Sequence, residues 1–307
     1  MNMDAPIPER FRSRYCPLVD DPDAFLLSLQ TMLPKSFRVN SLKSSAAEIT
    51  ERFAGYGIGI RQMGWYGDAF VSDTPDIGST LEHFSGKIYF QELVSMMPPL
   101  LLRKELEQAR VVLDACAAPG SKTTQMAALM GNRGTIVAND VAYPRIRALK
   151  FNIEKTGTIN AVISNRDLRN FPQMQFEVVL LDAPCSSEGT MRKNSEMFSG
   201  WSERAVESNA RQQSQLVLKA FDLLSSGGVM VYSTCTFAPE ENECILDHLL
   251  ANRAEARLEP ISIEGFKTSR PLEEWKGRTF HDEVRKAMRI WPHHNDTGGF
   301  FMARVVK

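Results

Sequence analysis

The chain of 307 residues is long enough for one large domain or for a large and a small one, and its 43% hydrophobic and 24% charged residues are ordinary for a globular protein. A net charge of −1 argues against a protein that grips nucleic acid non-specifically through a broadly basic domain. Five cysteines without a CxxC pair argue against a disulfide framework and a zinc ribbon, and the lack of a long apolar run or a signal-peptide pattern predicts a reduced, cytoplasmic protein with no membrane partner.

The first eighty residues predict a small α/β unit with two or three strands. Asp20 or Asp21 and Ser44 or Ser45 are suited to cap its two helices, because their side chains accept hydrogen bonds from free backbone N–H groups. We place a domain boundary near residue 83. The predicted elements are a helix at 20–32, a strand at 37–43, a helix at 44–54 and, beyond the boundary, a strand that passes into an apolar helix at 88–102.

From residue 111 onward, apolar strands alternate with helices. The strands are VVLDA, TIVAND, AVISN, FEVVLLD and GVMVYS, and the helices lie at 121–130, 144–156 and 202–224. Ser202 is suited to cap the last helix, and Gly227 and Gly228 are expected to end it. The tail at 289–306 predicts two strands around a glycine-containing turn. This alternation predicts a Rossmann-like α/β fold, a doubly wound and mostly parallel sheet with an antiparallel C-terminal edge.

The first strand of this region leads into a turn of small residues. Within VVLDACAAPGSKTTQ at 111–125, Ala117, Ala118 and Gly120 let the backbone approach a ligand, and the helix that follows begins with free N–H groups. The lack of a GxGxxG pattern disfavours a dinucleotide. The segment therefore predicts a ligand site at the carboxyl end of the sheet.

Three acidic residues stand at the ends of the next strands. Asp140 suits two ribose hydroxyls, Asp167 is placed to accept from an adenine amino group, and Asp182 ends the fourth strand. Around a single glycine turn, three carboxylates fit a ligand with an adenosine part, since phosphates prefer a basic or amide cradle. The alternative is that each aspartate only caps a helix or closes a turn.

Two strings, LLDAPCSSEG at 180–189 and VMVYSTCT at 229–236, bring an apolar strand to an end on a cysteine. Because the carboxyl ends of parallel strands face one crevice, we expect Cys185 and Cys235 to lie there together. Covalent catalysis, with one thiolate attacking and a second group moving a proton, explains two thiols at one place. The alternative is that both are buried thiols that do not react. For the remaining cysteines we assume no catalytic role; these are Cys16, Cys116 and Cys244.

Methylation of carbon 5 of a pyrimidine needs this combination of groups. A thiolate must first add to carbon 6, a second group must remove the carbon 5 proton, and a carboxyl must steer the ring nitrogens. Cys235, Cys185 and Asp182 supply that set.

The motifs resemble those of a known family from about residue 35 to the C-terminus. In chain order they are DACAAPGSKTTQ, VANDV, LLDAPCSSEGTMRKN, VYSTCTFAPEENE and PHHNDTGGFF. They are similar to the successive motifs of the RNA 5-methylcytosine methyltransferases of the NOL/NOP/Sun family, which have a class I methyltransferase fold and use S-adenosyl-L-methionine. The resemblance implies that Cys235 is the nucleophile and that Cys185 helps to release the product.

The resemblance also implies a cofactor site, a domain order and a partner. The implied cofactor residues are Cys116, Ala117, Ala118, Pro119, Gly120, Ser121, Lys122, Asp140, Asp167 and Asp182. Residues 1–83 would form a small RNA-binding domain and residues 84–307 the catalytic domain, with no metal and a monomer favoured. Arg192 and Lys193, in the loop after Cys185, are expected to contact the RNA backbone.

The substrate stays open between two RNA classes. GSKTTQ, GTMRKN and PHHNDTGGFF look most like the family members that act on tRNA, whereas GSTLEHFSG also resembles the bacterial ribosomal-RNA members. We expect tRNA first, recognised by its shape and by local contacts. Two other functions remain: a DNA cytosine methyltransferase with Cys185 as nucleophile, which Thr234-Cys235 argues against, and an assembly factor that binds RNA without turnover.

Overall fold

A computed structural model describes residues 7–74, 77–193 and 197–307, so that Asn194, at the end of one quoted motif, lies outside the described residues. The helices are α1 Glu9–Tyr15, α2 Pro22–Leu29, α3 Ala46–Gly55, α4 Leu81–Phe84, α5 Met97–Leu100, α6 Arg103–Leu106, α7 Ser121–Leu129, α8 Tyr143–Thr156, α9 Met197–Gly200, α10 Glu203–Asp222, α11 Glu243–Asn252 and α12 Pro292–Asn295. The strands are β1 Lys35–Val39, β2 Ile60–Met63, β3 Tyr66–Ser72, β4 Ile88–Phe90, β5 Val111–Asp114, β6 Thr135–Asn139, β7 Ala161–Ser164, β8 Phe176–Asp182, β9 Leu224–Thr234, β10 Arg257–Glu259, β11 Glu274–Trp275, β12 Arg278–Thr279, β13 Met288–Ile290 and β14 Phe300–Val306.

The chain forms two compact units, each assembled from separate stretches. The first unit consists of Met1–Leu33, Ala183–Leu218 and Ser233–Arg304, and the second unit of Pro34–Asp182, Lys219–Tyr232 and Val305–Lys307. The division at residue 83 into an RNA-binding and a catalytic domain stays a prediction. In the described part of the chain, no helix has the length and apolar character needed to cross a lipid bilayer.

The second unit contains the predicted parallel sheet. Strand β5 pairs in parallel with β6 and with β8, β6 pairs in parallel with β7, and the strand order is β9-β8-β5-β6-β7. Its core includes Val112, Met126, Ile136, Val178 and Val231, all buried. Because the chain runs from β5 to β7 in one direction and then continues on the other side of β5, the order reverses at β5. Ligands bind at such a reversal, beyond the carboxyl ends of the strands.

One boundary in this sheet differs from the prediction. Helix α10 ends at Asp222, and β9 runs through Gly227 and Gly228, so the expectation that these glycines end the helix is wrong. Lys307 explains the difference: its backbone oxygen accepts from Gly227 N at 2.9 Å, and its N–H donates to Gly228 O at 3.1 Å. Pairing with Lys307, directly after β14, therefore places these glycines in β9.

A smaller antiparallel sheet lies in the same unit. Its strand order is β2-β3-β1-β4, so a fourth strand joins the two or three expected before residue 83. Helix α3 begins after Ser45, whose hydroxyl accepts from Glu48 N at 3.2 Å as predicted. The fully buried Arg38 on β1 donates to Thr124 Oγ1 of α7 at 3.1 Å and to Gln91 Oε1 at 3.2 Å. These bonds attach the small sheet to the helix that follows the ligand turn.

The first unit has a core of aromatic rings. Phe11, Tyr15 and Phe25 from the two N-terminal helices pack with Phe237 and Trp291. Helix α2 begins after Asp21, which is the predicted cap. In the tail, β13 and β14 pair antiparallel, which confirms the predicted antiparallel edge.

Candidate active site

In the second unit, the turn between β5 and α7 has the backbone that its small residues predict. Gly120 has a φ of 106°, a conformation that L side chains rarely adopt, and a Cβ there would lie 3.0 Å from Leu149 Cδ1. Ala117 and Ala118 are buried, and Asn152 Nδ2 donates to Pro119 O at 2.9 Å. These contacts hold the turn in this conformation.

Asp140, the predicted ribose acceptor, is bonded to this turn. It is 2% exposed; its Oδ2 accepts from Ala118 N at 3.1 Å and its Oδ1 from Ala142 N at 2.9 Å. Arg145 Nη1 lies 3.4 Å from the same carboxylate. Asp140 thus orders the turn, and its contact with a ribose stays a prediction.

Asp114 is an acidic residue of this region that the sequence reasoning missed. It is fully buried at the end of β5, where Thr123 Oγ1 donates to its Oδ2 at 2.6 Å, and its Oδ1 has no hydrogen-bond partner among the described residues. Burial raises the pKa of Asp114 to about 7. The sequence did contain an indication of Asp114, because it is the last residue of the first parallel strand. Asp182 was singled out for the same position on β8.

The other two predicted acids each have a basic partner. Asp167 accepts from Arg169 Nε at 2.9 Å and 3.0 Å, and this pairing lowers the pKa of the Asp167 carboxyl. Asp182 Oδ2 lies 2.6 Å from Lys122 Nζ, which also donates to Ser95 Oγ at 2.9 Å. Lys122 therefore fixes the Asp182 carboxylate at the end of β8.

These residues fit the cofactor that the resemblance implies. A turn of small buried residues, a left-handed glycine and carboxyl groups at the ends of β5, β6 and β8 suit a ligand with an adenosine part. Cys116 lies in the turn, where burial raises the pKa of its thiol, so it stays a neutral group. The individual cofactor contacts stay predictions.

The first unit brings the two predicted catalytic thiols together. Cys185 Sγ lies 3.4 Å from Cys235 Sγ, although 50 residues separate them in the chain. Both are free thiols and half-buried. The hydrogen bond to Cys235, followed by burial, raises the pKa of the Cys185 thiol well above its usual value. The predicted meeting of these two cysteines is present in the structure.

A buried carboxylate in the first unit was not foreseen. Glu188 is fully buried and accepts from Tyr15 OH and Trp201 Nε1 at 2.5 Å, from Thr236 Oγ1 at 2.7 Å and from Phe237 N at 3.0 Å. It therefore joins the segment after Cys185, the segment after Cys235 and helix α1. No local pattern in the sequence announces this convergence, because Tyr15 and Glu188 are 173 residues apart.

Arg192 does not have the role expected of it. It is 2% exposed, and its guanidinium donates to Thr31 O and Thr297 O at 2.9 Å and lies 2.5 Å from Asp296 Oδ1. The prediction that Arg192 meets an RNA phosphate is therefore wrong, since its donors are used to bind loops of its own unit. Lys193, the next residue, is exposed.

One cluster of potential metal ligands occurs in the described residues of the first unit. Asp20 Oδ1 lies 2.8 Å from Nε2 of both His293 and His294, and these atoms lie within 4.8 Å of one another. Lys267 Nζ lies 3.0 Å from the other Asp20 oxygen. A lysine cation thus already neutralises this carboxylate, and the expectation of no metal stays a prediction.

Comparison with known proteins finds relatives along most of the chain. Residues 100–306 match the family model of the 16S rRNA methyltransferase RsmB/F, and residues 7–93 match that of the N-terminal domain of 16S rRNA methyltransferase RsmF. The chain is 40% identical to the tRNA (cytosine(49)-C(5))-methyltransferase of Pyrococcus abyssi, over 98% of this chain and 96% of that protein.

One further relative by sequence and one solved structure are also similar to the chain. The chain is 40% identical to the ribosomal RNA small subunit methyltransferase F of Vibrio atlanticus, over 100% of this chain and 65% of that enzyme, so it spans less than two thirds of the Vibrio protein. The crystal structure of a methyltransferase homolog protein from Pyrococcus horikoshii is 31% identical with a TM-score of 0.82, covering 94% of this chain and 91% of that one.

Proposed function

Since the chain belongs to the RsmB/F family of RNA cytosine-5 methyltransferases, whose members use S-adenosylmethionine, we propose that it methylates carbon 5 of a cytosine in structured RNA through a covalent bond between a cysteine and the base. The observation that carries this proposal is the distance of 3.4 Å between the sulfur atoms of Cys185 and Cys235. A methylation of nitrogen or oxygen needs no such pair, whereas a carbon 5 reaction needs a nucleophile and a second group for the proton.

Cys235 begins and ends the reaction. Its sulfur forms a bond to carbon 6, which makes carbon 5 nucleophilic, and carbon 5 takes the methyl group. A proton then leaves carbon 5, the bond between sulfur and carbon 6 breaks, and Cys235 regains its electron pair. S-adenosylmethionine, when bound, would supply the methyl group as an electrophile, and its sulfur would keep the electron pair of the broken bond. The target base must first leave its stack to reach the thiols.

The raised pKa of Cys185 supports this division of roles. A thiol that keeps its proton at neutral pH is a poor first nucleophile but can donate a hydrogen bond to the Cys235 sulfur. After Cys235 has bonded to carbon 6, Cys185 gives its proton to water and, as a thiolate, accepts the proton from carbon 5.

Asp182 is the carboxyl group we assign to the ring nitrogens of the base. Its pairing with Lys122 at 2.6 Å supports the assignment, because a carboxylate held at the end of a strand keeps one orientation through the reaction. Asp182 also precedes Cys185 by only three residues along the chain. We assign Asp140 to the ribose and Asp167 to the adenine of the cofactor.

We favour tRNA as the substrate, on the motifs that resemble the tRNA enzymes and on the identity of 40% with the Pyrococcus tRNA methyltransferase. Ribosomal RNA is the second candidate, favoured by the same identity with the Vibrio enzyme and by the family models. We also propose that residues 1–83 and the exposed Lys193 contribute to RNA binding, and that the protein acts in the cytoplasm.

Bisulfite sequencing of total RNA from cells with and without the protein tests the substrate directly. The proposal expects a 5-methylcytosine that depends on the protein, in a tRNA. A protein-dependent site in ribosomal RNA alone would establish the second candidate. If no RNA cytosine changes and purified protein labels only DNA, the proposed function fails.

A further inference from the structure

Cys185 is held from both sides by one buried pair of side chains. The backbone N–H of Ser186, directly after the thiol, donates to Glu241 Oε2 at 3.0 Å. The carbonyl of Pro184, directly before it, accepts from Gln213 Nε2 at 2.8 Å, and the same nitrogen donates to Glu241 Oε2 at 2.8 Å. Both peptide groups that flank Cys185 thus depend on one carboxylate.

The orientation of Gln213 follows from its neighbours. Pro184 O and the Glu241 carboxylate are both acceptors, so the side-chain nitrogen must face them, and the amide cannot be reversed without losing both bonds. Gln213 and Glu241 are fully buried, and Gln213 Oε1 has no hydrogen-bond partner among the residues described. A buried amide oxygen without a partner is uncommon in folded proteins, so the two bonds made by the nitrogen of this amide need an explanation.

The same network reaches the second thiol. Ser186 Oγ lies 2.7 Å from Thr236 Oγ1, which joins the residue after Cys185 to the residue after Cys235. The carbonyl of Cys235 itself accepts from Gly189 N at 2.8 Å. A shift of the backbone at 184–186 would therefore change the distance of 3.4 Å between the two sulfur atoms.

We propose that Glu241 and Gln213 are positioning residues that fix Cys185 for the release of the methylated product. This inference rests on the proposed function, in which Cys185 accepts the carbon 5 proton while Cys235 attacks. Neither residue touches the base; both act through the backbone of Cys185. Because a misplacement of about 1 Å can reduce a rate by about 100-fold, loss of these bonds should slow the step that needs Cys185 more than the step that needs Cys235.

The test is a single-turnover reaction with labelled S-adenosylmethionine and unmodified transcripts of tRNA and small-subunit ribosomal RNA. Protein–RNA adduct is measured on a denaturing gel, and free methylated RNA by nuclease digestion. Burial raises the pKa of Glu241 to about 7, so the reaction is run at about pH 8, where this side chain is charged. The variant Gln213→Met keeps the volume and removes both donors. Gln212→Ala, a half-exposed neighbour on the same helix, is the control.

We expect Gln213→Met to form adduct at a rate within about two-fold of the parent and to release product at least about ten-fold more slowly, while Gln212→Ala changes neither rate. Glu241→Gln, which retains a carbonyl oxygen as acceptor, should slow release less than Glu241→Met. If the two residues only stabilise the fold, the variants should lower the melting temperature and either lower both rates or change neither rate. Either of those results in the folded variants overturns the inference.

Failure of the proposed function gives a different result. If Cys185→Ala accumulates adduct but Gln213→Met does not, only the positioning role is refuted. If Cys185→Ala itself accumulates none while Cys235→Ala does, the roles of the thiols are reversed. Circular dichroism shows whether each variant is folded. If the variant at position 213 is unfolded, the variants at position 241 decide the question, and the reverse holds as well.

Discussion

Replacement of Asp140 is expected to weaken cofactor binding strongly. In Asp140→Ala, the N–H groups of Ala118 and Ala142 lose a charged acceptor at 3.1 Å and 2.9 Å, and the proposed ribose hydroxyls lose theirs. A hydrogen bond to a charged group contributes about 1.5–3 kcal/mol. Two such bonds to the ribose correspond to about 3–6 kcal/mol, which is a loss of roughly 10²–10⁴-fold in affinity.

Isothermal titration calorimetry with S-adenosylmethionine measures this loss, and thermal melting without ligand separates it from instability. The exposed Asp73, changed to alanine, is the matched control and should bind as the parent does. Asp140→Asn keeps one oxygen acceptor and should give an intermediate affinity. Unchanged affinity in folded Asp140→Ala, or a loss no greater than the loss of folded protein, would refute the assignment.

Three further predictions concern buried polar groups. Tyr15→Phe removes a hydrogen bond to buried Glu188 and should lower the free energy of unfolding by about 1.5–3 kcal/mol. The control Tyr143→Phe, at an exposed ring, should change this free energy by less than about 0.5 kcal/mol. Equal urea midpoints for the two variants would contradict the prediction. The pKa of Asp114 is raised from 3.8 to about 7, so the folded state binds the extra proton and its stability falls as pH rises through this window. Asp114→Asn should therefore stabilise the protein at about pH 8, by up to roughly 4 kcal/mol, and the gain should vanish near pH 4. A gain that does not depend on pH would count against this account, and Asp73→Asn, at an exposed carboxyl, is the control. Arg192→Ala should lower the free energy of unfolding by at least about 2 kcal/mol and leave the salt dependence of RNA binding unchanged. A shallower salt dependence in this variant would support a contact between Arg192 and an RNA phosphate.

The parts of the fold that follow from local sequence were predictable. Strand ends at Asp114, Asn139 and Asp182 are set by apolar runs, and the caps at Asp21 and Ser45 by short polar side chains next to free N–H groups. The meeting of the thiols follows from the same logic, since parallel strands bring their carboxyl ends to one edge. These predictions need only neighbouring residues and the geometry of a parallel sheet.

The residues that hold the site were not predictable, because their partners are distant in the chain. Glu188 and Glu241 are ordinary acids in the sequence, and only folding brings Tyr15 to the first and Gln213 to the second. For Arg192 the error was the opposite one, since a role in binding was predicted for a side chain that supports the fold. Its place in the segment after Cys185 favoured an exposed cation, but its guanidinium donates to backbone carbonyls instead. Burial of a charged side chain depends on those partners, which composition does not reveal.

The assignment of the two thiols is tested most directly by trapping the covalent intermediate. Purified parent, Cys235→Ala and Cys185→Ala proteins are incubated with S-adenosylmethionine and unmodified tRNA and ribosomal RNA transcripts, and denaturing gels reveal protein linked to RNA. We predict no adduct with Cys235→Ala and a persistent, methylated adduct with Cys185→Ala, because that variant adds to the base but cannot release it. Adduct with Cys235→Ala and none with Cys185→Ala would contradict the account and assign the attack to Cys185.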